Sequence, residues 1–191
     1  RSSDLKRFFG NDHFVKAKDA DTYFAIQPYE QQILQDKDPN FRVLNLATNT
    51  FNDARTSYRL KSIGGYSAAK LRRYQDLIDE HISHEMNPLM QTIMQTQGFM
   101  LPDANEGKDF PVLNMLNMKY AIVPLQGGTQ APVYNPYAMG NGWFVDEVIL
   151  VDTPDEECAA LSSLDLHKQA VADKKFAEAL DITKPEVTPL M

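Results

Sequence analysis

Two hydrophobic periods divide this chain. Phe41-Arg42-Val43-Leu44-Asn45-Leu46 alternates apolar and polar residues after the turn signal Asp38-Pro39-Asn40, which predicts a strand. From Ala68 to about Glu85 the period lengthens. Leu71, Tyr74, Leu77, Ile78, His81 and Ile82 recur at helical spacing, with Arg72, Arg73, Gln75, Asp76, Asp79 and Glu80 on the other face. Ser67 suits the N-cap of that helix. Met86–Gln97 predicts a second helix, with Pro88 near its start and Gly98 as its stop.

Downstream the pattern predicts a loop over 102–109, a short helix over Phe110–Asn117 and a strand over Lys119–Val123. A Gly127-Gly128 turn, a strand around Pro132–Tyr134, a loop over Asn135–Gly142 and a strand over Trp143–Val151 follow. A helix then runs from Pro154 to about Ser163, with Thr153 as cap, Pro154 at the first position and Glu156-Glu157 favouring the dipole. Residues 168–180 add a short strand and helix. Residues 1–40 are polar with scattered aromatics and read as an extended lead-in. It holds one helix near Tyr29–Gln35, with Pro28 at the first helical position. The expected fold is α+β or α/β: a small mixed β-sheet flanked by helices. Residues 41–182 form a single domain and 183–191 a flexible tail.

Composition narrows the function classes. A chain of 191 residues with 43% hydrophobic and 24% charged content suits one packed domain. A net charge of −7 argues against a nucleic-acid partner, because phosphate backbones call for a basic surface. The longest apolar runs, Tyr120–Leu125 and Val148–Val151, are far too short to span a bilayer. No secretory leader opens the sequence, and a start at Arg1 is expected of a fragment cut from a longer protein. A single cysteine, Cys158, excludes an internal disulfide and a cysteine zinc cluster.

The chemistry concentrates in residues 45–75, where amides, hydroxyls, aromatic rings and a Gly-Gly pair lie between a strand and a helix. Asn49, Asn52, Asp53, Thr56, Ser57 and Tyr58 suit either sugar hydroxyls or local Asx and Ser/Thr turns. Gly64-Gly65-Tyr66 precedes a helix, yet lacks both the Walker spacing and G-x-G-x-x-G, so a tight turn is favoured over a nucleotide loop. Lys70, Arg72 and Arg73 make a small basic patch, suited to lipid headgroups or to a solvated helix face. His81, His84 and Glu85 read H-x-x-H-E and not H-E-x-x-H, so no metal is assigned, and no cofactor either. There is no G-x-S-x-G elbow. Met86, Met90, Met94 and Met100 suit adaptable core packing.

Several pieces carry a family resemblance. Phe41–Leu46, Thr50-Phe51-Asn52-Asp53-Ala54, Thr56-Ser57-Tyr58, Lys61–Tyr66 and Ala69–Gln75 are similar to the soluble segment of YfhO-like bacterial membrane proteins of the Bacteroides type. So are Val112–Asn117 followed by Lys119-Tyr120, and Met139-Gly140-Asn141-Gly142-Trp143-Phe144-Val145. The likeness spans about residues 38–176. That family resembles multispanning glycosyltransferases that take sugar from a polyprenyl-phosphate carrier outside the cytoplasmic membrane. The resemblance implies an extracytoplasmic domain whose partners are the transmembrane part of its own parent chain and a glycan or lipid-linked sugar. It carries over no catalytic residue. It assigns no role to the motif positions; the binding candidates, read from the residues themselves, are Asn49, Asn52, Asp53, Tyr58, Gly64, Gly65, Tyr66, Arg72 and Arg73. The alternatives are a small hydrolase using carboxylates near Asn52-Asp53, and a purely structural interaction module.

Overall fold

The alternating segment forms one edge strand of a small sheet, yet Val43, Leu44 and Asn45 are all buried. In the computed structural model, which describes residues 16–96, 98–101 and 110–178, strand β1 (Arg42–Asn45) pairs in parallel with β2 (Met118–Pro124), and β2 pairs antiparallel with β3 (Gln130–Tyr134). The register sets Val43 beside Tyr120, Asn45 beside Ile122, and Ile122 beside Pro132. Pro132 lacks an N–H, and β3 is an edge strand that tolerates the loss. On the opposite edge, Val43 N–H donates to the Lys61 carbonyl at 2.8 Å and Ile63 N–H to the Val43 carbonyl at 2.9 Å. The segment before Gly64-Gly65 is thereby stitched to β1.

Alternate residues of the sheet feed two cores. Val43 and Ile122 pack with Tyr29, Ile33 and Leu60. Leu44, Ala121 and Val123 pack with Ile78, Ile82, Leu89, Ile93 and Leu113. The result is a helix–sheet–helix layering around a small mixed sheet, an α+β architecture as the periodicity predicts. The helix on the first face, α2 (Pro28–Ile33), starts at Pro28 as expected, with Gln27 and Glu30 forming a capping box. Residues read as an extended lead-in also hold a preceding helix, α1 (Ala17–Tyr23). The expected loop at 102–109, the tail at 183–191 and the first part of the lead-in lie outside the described residues.

The second face is covered by one unbroken helical run where two helices were expected. α3 (Arg72–Leu77) passes through a π turn (Ile78–Ile82) into α4 (Ser83–Thr96), with Pro88 inside. The helix starts at Arg72 and not after Ser67. The cause is tertiary: the Tyr74 hydroxyl donates to the Ile63 carbonyl, and the Lys70 ammonium stands 5.4 Å from the Phe51 ring centre. Both contacts hold residues 64–70 against the preceding loop in a non-helical path. Met86 and Met90 pack on the core, whereas Met94 and Met100 are exposed, correcting the expectation that all four serve as packing.

Glu85 of α4 is buried and caps a different helix. Its two carboxylate oxygens accept from Val112 N–H and Leu113 N–H, each at 2.9 Å, at the start of α5 (Pro111–Met115).

The last third forms a second, two-stranded parallel sheet, β4 (Glu147–Val151) with β5 (Gln169–Asp173), crossed by α6 (Pro154–Ala160). Thr153 caps α6 as expected, accepting from Glu156 N–H at 3.2 Å. β4 begins at Glu147 rather than Trp143, because Gln169 is the first β5 residue to pair with it. Trp143 instead donates its indole N–H to the Leu166 carbonyl at 2.8 Å. Among the described residues no helix is long and apolar enough to cross a membrane.

Candidate functional site

The loop leaving the carboxyl end of β1 is organised by its own polar side chains. Asn45, buried, donates from Nδ2 to Thr56 Oγ1 at 2.9 Å, and Thr56 Oγ1 donates on to Asp53 Oδ2 at 3.1 Å. Asp53 also accepts from Arg55 N–H at 3.2 Å and Thr56 N–H at 3.3 Å, starting the 3₁₀ turn Thr56–Tyr58. Thr50 Oγ1 donates back to the Asn45 carbonyl at 2.8 Å. These are the local turns the sequence allowed for.

Arg55 then links this loop to the N-terminal helices. Its Nη1 donates to Glu30 Oε1 and to the Tyr29 hydroxyl, each at 3.1 Å. Its Nε donates to the Tyr23 carbonyl at 3.2 Å and its Nη2 to the Ala25 carbonyl at 2.9 Å. Arg59 holds the Phe24 carbonyl at 2.6 Å. Two guanidinium groups thus clamp residues 23–25 against residues 55–59. The clamp leaves the Phe24 and Tyr58 rings 4.6 Å apart on the surface, with Tyr23 edge-on to Phe24 at 4.9 Å.

Beside the clamp, outside the carboxyl ends of β1 and β2, lies a cavity of about 440 Å³. Open α/β sheets place ligands at such strand ends, and small-molecule sites have volumes in this range. Gln27, Asn45, Thr48, Asp53, Arg55 and Thr56 form one wall, and Gly128, Thr129 and Gln130 the other. The buried Oε1 of Gln130 has no hydrogen-bond partner among the described residues. A buried acceptor left unpaired is costly.

A second cavity, of about 520 Å³, is lined by residues farther along the same segment. Ser57, Ser62, Gly64, Gly65, Tyr66 and Ser67 line it with Arg42, Lys70 and Tyr74. Its charged lining residues, Arg42 and Lys70, are both cationic, on a chain whose net charge is −7. That polarity suits an anion.

The glycines make this wall possible. A Cβ at Gly64 would overlap the Thr50 carbonyl oxygen and stand 2.9 Å from Thr50 Cγ2, while Gly65 sits at φ +120°. Gly65 N–H donates to that same Thr50 carbonyl at 2.7 Å. A Gly64→Ala substitution therefore pushes residues 64–65 off the β1 loop. We expect a loss of about 1–3 kcal/mol of stability, the usual cost of overpacking, measured by denaturant unfolding.

The nine sequence candidates separate accordingly. Asp53 lines the first cavity, Tyr58 belongs to the adjoining aromatic group, and Gly64, Gly65 and Tyr66 line the second. Asn49 and Asn52 are exposed in a turn in which the Asn49 carbonyl accepts from Asn52 N–H and Asp53 N–H, each at 3.0 Å. Arg72 pairs with Asp76 at 2.8 Å and Arg73 with Glu157, so neither faces these two cavities. The sequence reading missed Gln27, Thr48, Thr129, Gln130 and Arg42. The polar run after Gly127-Gly128 is the signal that could have found Thr129 and Gln130. The other motif asparagines are architectural: Asn117, at φ 58°, donates to the Asn40 carbonyl at 2.9 Å and to Asn141 Oδ1 at 3.3 Å.

No protein-family model, no curated protein and no solved structure matches this chain.

Proposed function

We propose that this chain is a non-catalytic, extracytoplasmic binding domain for a sugar-bearing ligand, a glycan or a lipid-linked sugar phosphate, serving the membrane-embedded part of its own parent protein. The observation that carries this reading is the first cavity, with amide, hydroxyl and guanidinium groups on its walls and surface aromatic rings beside it. Sugars offer hydroxyls to such amides and apolar ring faces to such aromatics. The cationic second cavity, lined by residues farther along the same segment, adds a place for a phosphate.

The carboxylates argue for binding over hydrolysis. Glu30 is committed to Arg55 and to Gln27 N–H, and Asp53 to Thr56 and Arg55 N–H. Neither is left as a free acid or base of the kind paired-carboxylate hydrolysis uses. An exposed apolar rim formed by Met94, Phe99 and Leu125 around a groove at the end of α4 supports contact with an apolar partner such as the parent's membrane helices.

The test is titration of the folded domain with envelope oligosaccharides, and separately with a short-chain polyprenyl phosphate, followed by melting temperature and amide chemical shifts. Expected are shifts at residues 45–58 and 127–130 with the oligosaccharides, weakened by Tyr58→Ala and Gln130→Ala. The polyprenyl phosphate shifts residues 62–70, and Lys70→Ala weakens it. If neither ligand class moves any resonance or the melting temperature, the reading is overturned.

A further inference from the structure

The π turn of the long helix serves neither cavity. Yet it carries Glu80 and His81 to the place where the β4–α6–β5 unit meets the helix. π turns inside α-helices occur frequently at functional sites. Here the turn faces α6, and the one cysteine of the chain, Cys158, lies there. A carboxylate oxygen of Glu80, a ring nitrogen of His81 and the sulfur of Cys158 all lie within 4.8 Å of one another. His81 is buried and its Nε2 is 2.8 Å from the Cys158 carbonyl oxygen. That oxygen only accepts, so Nε2 donates, and in a neutral ring Nδ1 is the nitrogen left with a lone pair for a ligand bond. Metal-binding histidines are commonly oriented by this kind of bond from the ring to a backbone carbonyl.

We propose that Glu80, His81 and Cys158 form a binding site for a zinc-class divalent cation, which ties the π turn to α6. Carboxylate, imidazole and thiolate are the donor set of such cations, and three protein ligands leave a fourth position for water. A cavity of about 290 Å³ beside Glu80 and Cys158 gives that water room, with Asp76, Asp155 and Glu157 on its lining. The cation facing it, Arg73, is paired with Glu157. A dication favours the thiolate form of a cysteine ligand. Coordination breaks the S–H bond, forms the S–metal bond and releases the proton to solvent.

Cobalt(II) is the probe, because a cobalt–thiolate bond absorbs in the near ultraviolet. The chelator-treated, refolded domain is titrated with Co²⁺, then with Zn²⁺ in competition, and its melting temperature followed. A saturable thiolate-to-cobalt band, displaced by Zn²⁺, with a rise in melting temperature, is expected. Cys158→Ser should abolish the band. Glu80→Gln, at an exposed position that keeps the fold, should weaken binding by about tenfold or more, since loss of even an outer-shell partner costs about 10–100-fold. Absence of the band and of a melting shift in the folded domain overturns the site. So does an unchanged melting shift in Cys158→Ser, or an equal response to Mg²⁺.

Discussion

Arg55→Met should be among the most damaging single substitutions in this domain, lowering stability by about 3–5 kcal/mol. Glu30 is only 1% exposed and its partner Arg55 19% exposed, so the pair is shielded from water. Removing one member of such a pair strands the other charge, which is the costly event, whereas removing both is often nearly neutral. For a domain of this size about 2–4 °C of melting temperature accompanies each kcal/mol, so a fall of roughly 6–20 °C is expected. Here Arg55 has a further task, since it also holds the Tyr23 and Ala25 carbonyls. The double variant Glu30→Gln with Arg55→Met separates the contributions. It should recover part of the lost stability by removing the stranded carboxylate, but not the ligand response at residues 45–58, because the 23–25 clamp stays open. Equal melting temperatures for the single and double variants would show that the ion pair contributes nothing beyond the backbone contacts.

How far the sequence could be read follows from where each contact closes. Thr153-Pro154 announced α6 because a helix cap is made within four residues, and Pro28 announced α2 for the same reason. The mixed sheet was legible because β1 and β2 carry period-2 or continuous apolar runs. The start of the long helix was not legible. It depends on Tyr74 reaching Ile63 and Lys70 reaching Phe51, which no local preference encodes. The first cavity was half legible: Asp53 lies in the conspicuous polar segment, but its facing wall, Thr129 and Gln130, arrives only when β2 pairs beside β1. Likewise Arg72 and Arg73 drew notice as a basic patch, and packing converted them into partners of Asp76 and Glu157. Cys158 and His81 are 77 residues apart and looked unrelated until α6 folded onto the π turn.

Glu85 should give the domain a stability that falls as pH rises. Burial is the main cause that pushes its carboxyl up to about 7 from an ordinary 4.5, against the lowering effect of the Val112 and Leu113 N–H groups. The folded state therefore favours the protonated form. The contribution is fully present below about pH 4.5 and is lost as pH rises through 7, amounting to about 3 kcal/mol across that window. Glu85→Gln removes the titration while keeping one acceptor for the two N–H donors. It should be less stable than the parent near pH 5, where an unmet donor costs about 1–3 kcal/mol, and the gap should narrow or close near pH 8. Glu85→Ala leaves both donors at the start of α5 unmet and opens space beside Leu89 and Leu113. A loss of about 3 kcal/mol, or roughly 6–12 °C in melting temperature, is expected near pH 5. Denaturant unfolding of the three proteins between pH 4.5 and 8.5 decides the matter. A parent-to-Gln difference that does not change with pH would mean that Glu85 remains ionised in the fold, with the two N–H bonds outweighing its burial.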